Sequence, residues 1–185
     1  MKYLTRGKRG IIYLSKINGR DVAIKVRRPG SFALNTLEKE ARWLRKLNKH
    51  NVGPKLISFD GEKLIMEYVK GKNFVDYFYE KNDKKIALDV LKQCYKLDKL
   101  KINKYEMHNP VKHIIVRKNK PILIDFERCR FDSKPKNVTQ FCQFLVKLGV
   151  RVDINRLIEA MKEYKKSYTK KSFDDICRLI LNVYK

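Results

Sequence analysis

Apolar positions recur with two different periods along this chain, and the change falls near residue 70. Before it, Ile11-Ile12-Tyr13-Leu14 and Val22-Ala23-Ile24-Lys25-Val26 are β-rich runs joined through Asn18-Gly19, a pair suited to a tight hairpin. Leu34, Leu37, Ala41, Leu44 and Leu47 follow at helical spacing, which predicts a helix over 34–48 behind Pro29-Gly30-Ser31. Gly53-Pro54 breaks that pattern. Leu56-Ile57-Ser58-Phe59 and Lys63-Leu64-Ile65-Met66-Glu67-Tyr68 read as strands around an Asp60-Gly61 turn. With one more strand ahead of Gly7, the predicted order is β-β-β-α-β-β. After residue 70 the helical period dominates. Ile86, Val90, Leu91, Cys94 and Leu97 mark a core-facing helix, and helical patterns return at about 137–148, 153–166 and 172–184. Between them, Ile114-Ile115-Val116 and Ile122-Leu123-Ile124 predict a short strand pair on either side of Lys118-Asn119-Lys120-Pro121. The expectation is an α+β protein whose linker lies at Glu67–Gly71.

Length and composition narrow the class. A chain of 185 residues, 43% hydrophobic, can bury one good core or two small lobes sharing a cleft. No apolar run is long enough to span a bilayer, and Met1-Lys2-Tyr3-Leu4-Thr5-Arg6 lacks the apolar stretch of a secretory signal. These features predict a cytoplasmic protein without a membrane partner. Cys94, Cys129, Cys142 and Cys177 form no CxxC pair and read as inert reduced thiols. The charge is more telling: 44 Lys and Arg against 20 Asp and Glu give +24, spread through the chain rather than gathered in a tail. A lysine-rich background accounts for part of this. Acidic residues do not keep pace, however, so RNA or an RNA-containing complex is an expected partner. The N-terminal thirty residues are the richest candidate surface, with Arg6, Lys8, Arg9, Lys16, Arg20, Arg27 and Arg28.

Two charged residues stand at the ends of apolar strands. Lys25 closes Val22-Ala23-Ile24, where a buried ammonium needs an anion; the alternative is an edge lysine whose stem lies on the surface. Asp125 closes Pro121-Ile122-Leu123-Ile124, where a carboxylate needs a cation. An extended backbone would put Glu127 on the same side as Asp125, making a second acidic ligand; otherwise it is a surface residue paired with Arg128 or Arg130. Gly7 and Gly10 bracket a turn between the first two strands. Glycine there lets backbone N–H groups approach a phosphate closely, and it also suits an ordinary hairpin.

Taken in order, Thr5-Arg6-Gly7-Lys8-Arg9-Gly10, Val22-Ala23-Ile24-Lys25, Glu40 of Leu37-Glu38-Lys39-Glu40-Ala41, Met66-Glu67-Tyr68-Val69 and Ile124-Asp125-Phe126-Glu127 resemble the protein kinase superfamily. The compact ending after Asp125, with no long activation segment, is similar to Rio-type kinases and to the small kinase of the tRNA threonylcarbamoyl-modifying complex. Ile-Asp-Phe-Glu-Arg most resembles the archaeal predicted serine/threonine kinases. The resemblance covers residues 1 to about 146. It implies a bilobal kinase-like fold, with a β-rich N-lobe carrying one helix (1–67) and a reduced helical C-lobe (68–185). It also implies ATP and Mg²⁺, or Mn²⁺, as cofactors. Gly7 and Gly10 would cover the phosphates, and Lys25 would meet the α- and β-phosphates and pair with Glu40, with Glu38 as the fallback. The Glu67 carbonyl and Val69 N–H would read the adenine edge. Asp125 would hold the metal, with Glu127 beside it.

The chain departs from the family at the catalytic loop, Tyr105-Glu106-Met107-His108-Asn109-Pro110-Val111-Lys112-His113. Anchoring on Ile114-Ile115-Val116 places His108 at the catalytic aspartate and His113 at the metal-binding asparagine. His108 is a candidate base, Glu106 is the alternative carboxylate, Lys112 is a candidate phosphate contact and His113 a candidate metal ligand. The resulting expectation is an atypical serine/threonine protein kinase acting on a protein or small-molecule phosphoacceptor. A non-catalytic kinase-fold protein that binds nucleotide or RNA as an assembly or modification factor is the main alternative. A phosphotransferase of the aminoglycoside or sugar-kinase type is a third.

Overall fold

The computed structural model describes residues 1–30, 35–81 and 83–181. Among them the protein is α+β, with an antiparallel five-stranded sheet and six α-helices. It divides into two compact units: Met1–Gly71 with Ile122–Cys129, and Lys72–Pro121 with Arg130–Lys185. The chain therefore returns to the first unit after leaving it, which the linear division at residues 67 and 68 does not capture. No described helix is long and apolar enough to cross a membrane.

The first unit is the sheet with one helix across it. Strands β1 (Lys2–Arg6), β2 (Gly10–Ile17), β3 (Arg20–Arg27), β4 (Leu56–Phe59) and β5 (Lys63–Glu67) are arranged β1-β2-β3-β5-β4. Asn18 and Gly19 both have positive φ, 49° and 74°, the geometry that matches the twist of two antiparallel strands, and Ile17 pairs with Arg20 across the turn. Helix α1 (Thr36–Asn48) buries Leu37, Glu40, Ala41, Leu44 and Leu47 on one face and packs on β3, β4 and β5. Leu34, with which the sequence pattern begins this helix, lies outside the described residues, as does Ser31. The helix end is pinned by Asn48. Its amide donates to the carbonyls of Val52 and Pro54, and its carbonyl oxygen accepts from the Leu56 N–H at 2.7 Å.

The second unit is mainly helical. It contains β6 (Lys72–Asn73), α2 (Phe74–Lys81), α3 (Lys84–Lys99) and β7 (Ile102–Asn103). A 3₁₀ turn at Tyr105–His108 follows, then β8 (Ile114–Arg117) and β9 (Lys120–Leu123), which leads the chain out toward the first unit. β10 (Arg130–Phe131), α4 (Asn137–Lys147), α5 (Ile154–Ser167) and α6 (Lys170–Leu181) complete it. The turn before β9 is shorter than the sequence suggested. Lys118 and Asn119 alone make it, both at positive φ, and Lys120 and Pro121 already belong to the strand. Ile124 falls beyond the strand's end. The predicted last helix, 172–184, starts two residues earlier, and residues 182–184 lie outside the described part.

At the centre of this unit sits a buried carboxylate. Asp98, on α3, has no exposed surface. Its Oδ1 accepts from the N–H and the side-chain amide of Asn137, and its Oδ2 from the Val138 N–H and the Tyr164 hydroxyl. It thus caps α4 and ties α3 to α5. None of the four cysteines is in a disulfide: Cys94, Cys129 and Cys142 are buried and Cys177 half-buried, and burial raises the pKa of Cys94, Cys142 and Cys177. That agrees with cysteines acting as small hydrophobes.

Candidate functional site

Lys25 decides the site. Its neighbours Val22, Ala23 and Ile24 are buried, and Lys25 itself is only 7% exposed, so it is not an edge lysine reaching water. Its stem passes over Gly10. A Cβ on Gly10 would stand 3.2 Å from the Lys25 Cε and 3.1 Å from the Val26 carbonyl oxygen. A side chain at position 10 would crowd both the Lys25 stem and the Val26 carbonyl. Gly7 has ordinary room, and its N–H is taken up inside the turn, donating to the Gly10 carbonyl at 2.8 Å.

Three carboxylates converge on the Lys25 ammonium. Glu40 Oε2 lies 2.7 Å from Nζ, Asp125 Oδ1 3.2 Å and Glu127 Oε2 3.3 Å. Glu40 turns inward because its neighbours on α1 are buried against the sheet, as the apolar spacing suggested; Glu38 instead pairs with Arg42. The second oxygen of Glu40 accepts from the Phe126 N–H at 3.3 Å, so the helix also holds the backbone that carries the other two acids. Phe126 is fully buried and its ring abuts Gly53, whose φ is +80°. A Cβ there would fall 2.7 Å from the ring and 3.2 Å from Leu44. Gly53→Ala is therefore expected to destabilise the protein by about 2–3 kcal/mol in chemical denaturation, through combined backbone strain and overpacking.

The backbone does not run straight through the acidic pair. Asp125 has φ +61°, in the left-handed region that aspartate tolerates better than most residues. The premise of an extended strand fails, yet Asp125 and Glu127 meet on the same ammonium. Glu127 is not a surface residue paired only with its sequence neighbours. Its side chain is 10% exposed, and Arg9, at the tip of the β1–β2 hairpin, donates to its Oε1 at 2.8 Å. Three carboxylates thus face the Lys25 ammonium and the Arg9 guanidinium. Burial opposes the charge on Lys25, but the charges of Glu40, Asp125 and Glu127 overcome it and hold its pKa above the ordinary lysine value. Burial raises the Glu40 pKa, offset by the ammonium beside it. Oxygens of Glu40, Asp125 and Glu127 all lie within 4.8 Å of one another. Such a donor set suits Mg²⁺ or Mn²⁺. Asp125, at 35% exposure, is the member a hydrated ion can reach, whereas Glu40, at 1%, is closed to it.

The strand carrying Glu67 is firmly held. The Glu67 N–H donates to the Lys55 carbonyl at 2.8 Å, its carboxylate accepts from the Lys55 N–H, and the Tyr68 N–H donates to Asp21. Val69 lies just beyond β5, outside regular structure. In the second unit, the degenerate loop folds as the 3₁₀ turn, with Met107 buried beneath it. Glu106 is half-buried, 3.8 Å from the ammonium of Lys104, a lysine with no exposed surface. His108 is exposed, with Nδ1 3.2 Å from the Tyr105 carbonyl oxygen. Lys112 is exposed, and the backbone N–H of half-buried His113 donates to Pro110. Of the two loop acid–base candidates, His108 and Glu106, Glu106 is the one set against a buried cation. Arg9 and Lys104 escaped the sequence reading as partners of Glu127 and Glu106. Nothing local in either segment distinguishes them from other basic residues.

The basic N-terminal residues do not make one surface. Gly10 pairs with Arg27 and the Arg28 N–H donates to Arg9, so Arg6, Lys8, Arg9, Arg27 and Arg28 lie at one end of the sheet. Lys16 and Arg20 flank the opposite hairpin, about 23 Å away along β3. No protein-family model and no curated protein matches the sequence.

Proposed function

We propose that this protein is an ATP-dependent phosphotransferase of the protein kinase superfamily. It would be an atypical, cytoplasmic serine/threonine kinase of reduced bilobal form, most like the archaeal group with Asp-Phe-Glu. One observation carries the reading: a buried strand lysine in a 2.7 Å ion pair with a helix glutamate, with Asp125 3.2 Å from the same ammonium. In this reading Glu40 orients Lys25 toward the α- and β-phosphates of ATP, and Gly10 leaves room for the Lys25 stem. Asp125 and Glu127 would hold Mg²⁺, which would supply neutralisation of the phosphate charge. The Glu67 carbonyl and Val69 N–H read adenine. Within the second unit, Glu106, with the Lys104 ammonium beside it, would take the proton of an acceptor hydroxyl. His108, on the same 3₁₀ turn, and Lys112 and His113, in the turn that follows it, are secondary candidates. The acceptor is a protein or small-molecule hydroxyl.

A second reading is favoured by the same acids. All three already have cations within 3.3 Å, and the loop lacks the catalytic aspartate, as in a protein that binds nucleotide without turning it over. Titration calorimetry with ATP, with and without Mg²⁺, together with release or transfer of labelled γ-phosphate, separates the two. Asp125→Asn is expected to abolish the Mg²⁺-dependent part of ATP affinity, and Glu127→Gln to reduce it less. A larger effect of Glu127→Gln reverses the roles of the two acids. Mg²⁺-dependent binding without any transfer supports the second reading, and no ATP binding at all removes both.

A further inference from the structure

Both carboxylate oxygens of Glu127 are taken, each by a different cation. Oε2 lies 3.3 Å from the Lys25 ammonium, and Oε1 accepts from the Arg9 guanidinium at 2.8 Å. A metal ion that used Glu127 as a ligand would have to displace one of the two. Lys25 is the harder to move. It is buried, and its departure would strip Glu40, 2.7 Å away and 1% exposed, of its counter-ion. Arg9 has 41% of its side chain exposed. Its backbone is nevertheless fixed. The Arg9 carbonyl accepts from the Arg28 N–H at 3.0 Å, the Gly7 N–H closes the turn on the Gly10 carbonyl, and Gly10 pairs with Arg27. Arg9 can therefore leave Glu127 by changing rotamer, with the hairpin unmoved. The contact is also more than a surface ion pair, because the Glu127 side chain is only 10% exposed.

We propose that Arg9 regulates the acidic site, covering Glu127 until a phosphate group arrives with the metal and gives the guanidinium another acceptor. The proposal rests on the metal role given above to Asp125 and Glu127, and it adds a selection to that role. A bare divalent ion reaches Glu127 only by breaking the Arg9 bond, with nothing in return for the guanidinium. An ion carried by a di- or triphosphate brings oxygens of its own. A planar guanidinium with five donors suits phosphate oxygens as well as carboxylate ones, so one charge-assisted bond replaces another. The site thereby favours phosphate-borne metal over the free ion. Lys8, beside Arg9 in the turn, is exposed and has the same charge, so it separates the effect of the contact from that of charge alone.

The test is calorimetric titration of the full chain with Mn²⁺ alone and with the preformed Mn²⁺–pyrophosphate complex. Wild type is expected to prefer the complex. Arg9→Gln should bind bare Mn²⁺ at least about fivefold more tightly, the equivalent of one partly exposed charge-assisted hydrogen bond, and the complex at least about threefold less tightly. The preference for the complex then falls at least about tenfold. Lys8→Gln should shift it by less than about twofold, since an exposed charge is screened and Glu127 stays covered. Bare Mn²⁺ should also raise the thermal midpoint of Arg9→Gln more than that of wild type, a readout that needs no turnover. An unchanged preference in Arg9→Gln, with both forms bound, overturns the role of Arg9 and leaves the metal reading standing. An equal fall in Lys8→Gln does the same, by making the effect one of charge alone. No binding of either form to wild type or to Arg9→Gln overturns both.

Discussion

Lys25→Met is expected to destabilise the protein by about 3–5 kcal/mol, in addition to removing the cation proposed to meet ATP. The kinase resemblance cast Lys25 as a phosphate contact paired with one glutamate. The structure changes that expectation, because Lys25 is the counter-ion of three carboxylates, one of them only 1% exposed. Without it, Glu40 is left buried with the charges of Asp125 and Glu127 close by. The variant has two ways to relieve this. Glu40 can take up a proton, since burial and the charge of Asp125 already favour its neutral form; the folded variant then binds one more proton than the unfolded chain, and its stability rises as pH falls from 7 toward 5. Alternatively, a divalent ion can replace the ammonium, so millimolar Mn²⁺ should raise the thermal midpoint of Lys25→Met more than that of wild type. Urea denaturation across pH, with and without Mn²⁺, reads both effects. A loss under about 1 kcal/mol with no dependence on pH or metal would show that the three acids do not rely on Lys25.

Asp98 is the second position of large effect, and it lies in the other unit. Asp98→Ala leaves the Asn137 and Val138 N–H groups, the Asn137 amide and the Tyr164 hydroxyl without the acceptor they share. The expected loss is at least about 3 kcal/mol, since each buried donor left unpaired carries a penalty. The pH dependence is equally specific. Burial pushes Asp98 up to about 6 from 3.8, against the hydrogen bonds that favour its ionised form. Between those values the unfolded aspartate has lost its proton while the folded one retains it. The folded state binds more protons, so this contribution to stability is full below pH 3.8 and is lost as pH rises through about 6. Wild type measured relative to Asp98→Asn should therefore lose up to about 3 kcal/mol between pH 4 and pH 7. A constant difference between the two proteins across that range would remove Asp98 as the titrating group.

Local sequence determined much of the first unit. Alternation fixed the strands, Asn18-Gly19 fixed a turn because both residues accept positive φ, and the spacing of Leu37, Ala41, Leu44 and Leu47 fixed which way α1 faces. Once that face was set, Glu40 had to point inward, and a lysine closing an apolar strand had to seek an anion. Their pairing was legible because both constraints act within each residue's own element. Helix α2 was not read, although Phe74, Tyr77 and Phe78 stand at helical spacing; aromatic residues are mediocre helix formers, and their burial holds the helix. The sequence also offered Glu127 two roles and no way to choose. Only the tertiary structure brought Arg9, 118 positions away, to its carboxylate and placed both acids on Lys25 across a left-handed Asp125. It alone set Asp98 at the start of α4 and Lys104 beside Glu106. The physical reason is that periodicity and turn chemistry are local, whereas the partner of a buried charge is whatever the fold brings within a few ångströms, and sequence separation puts no bound on that choice.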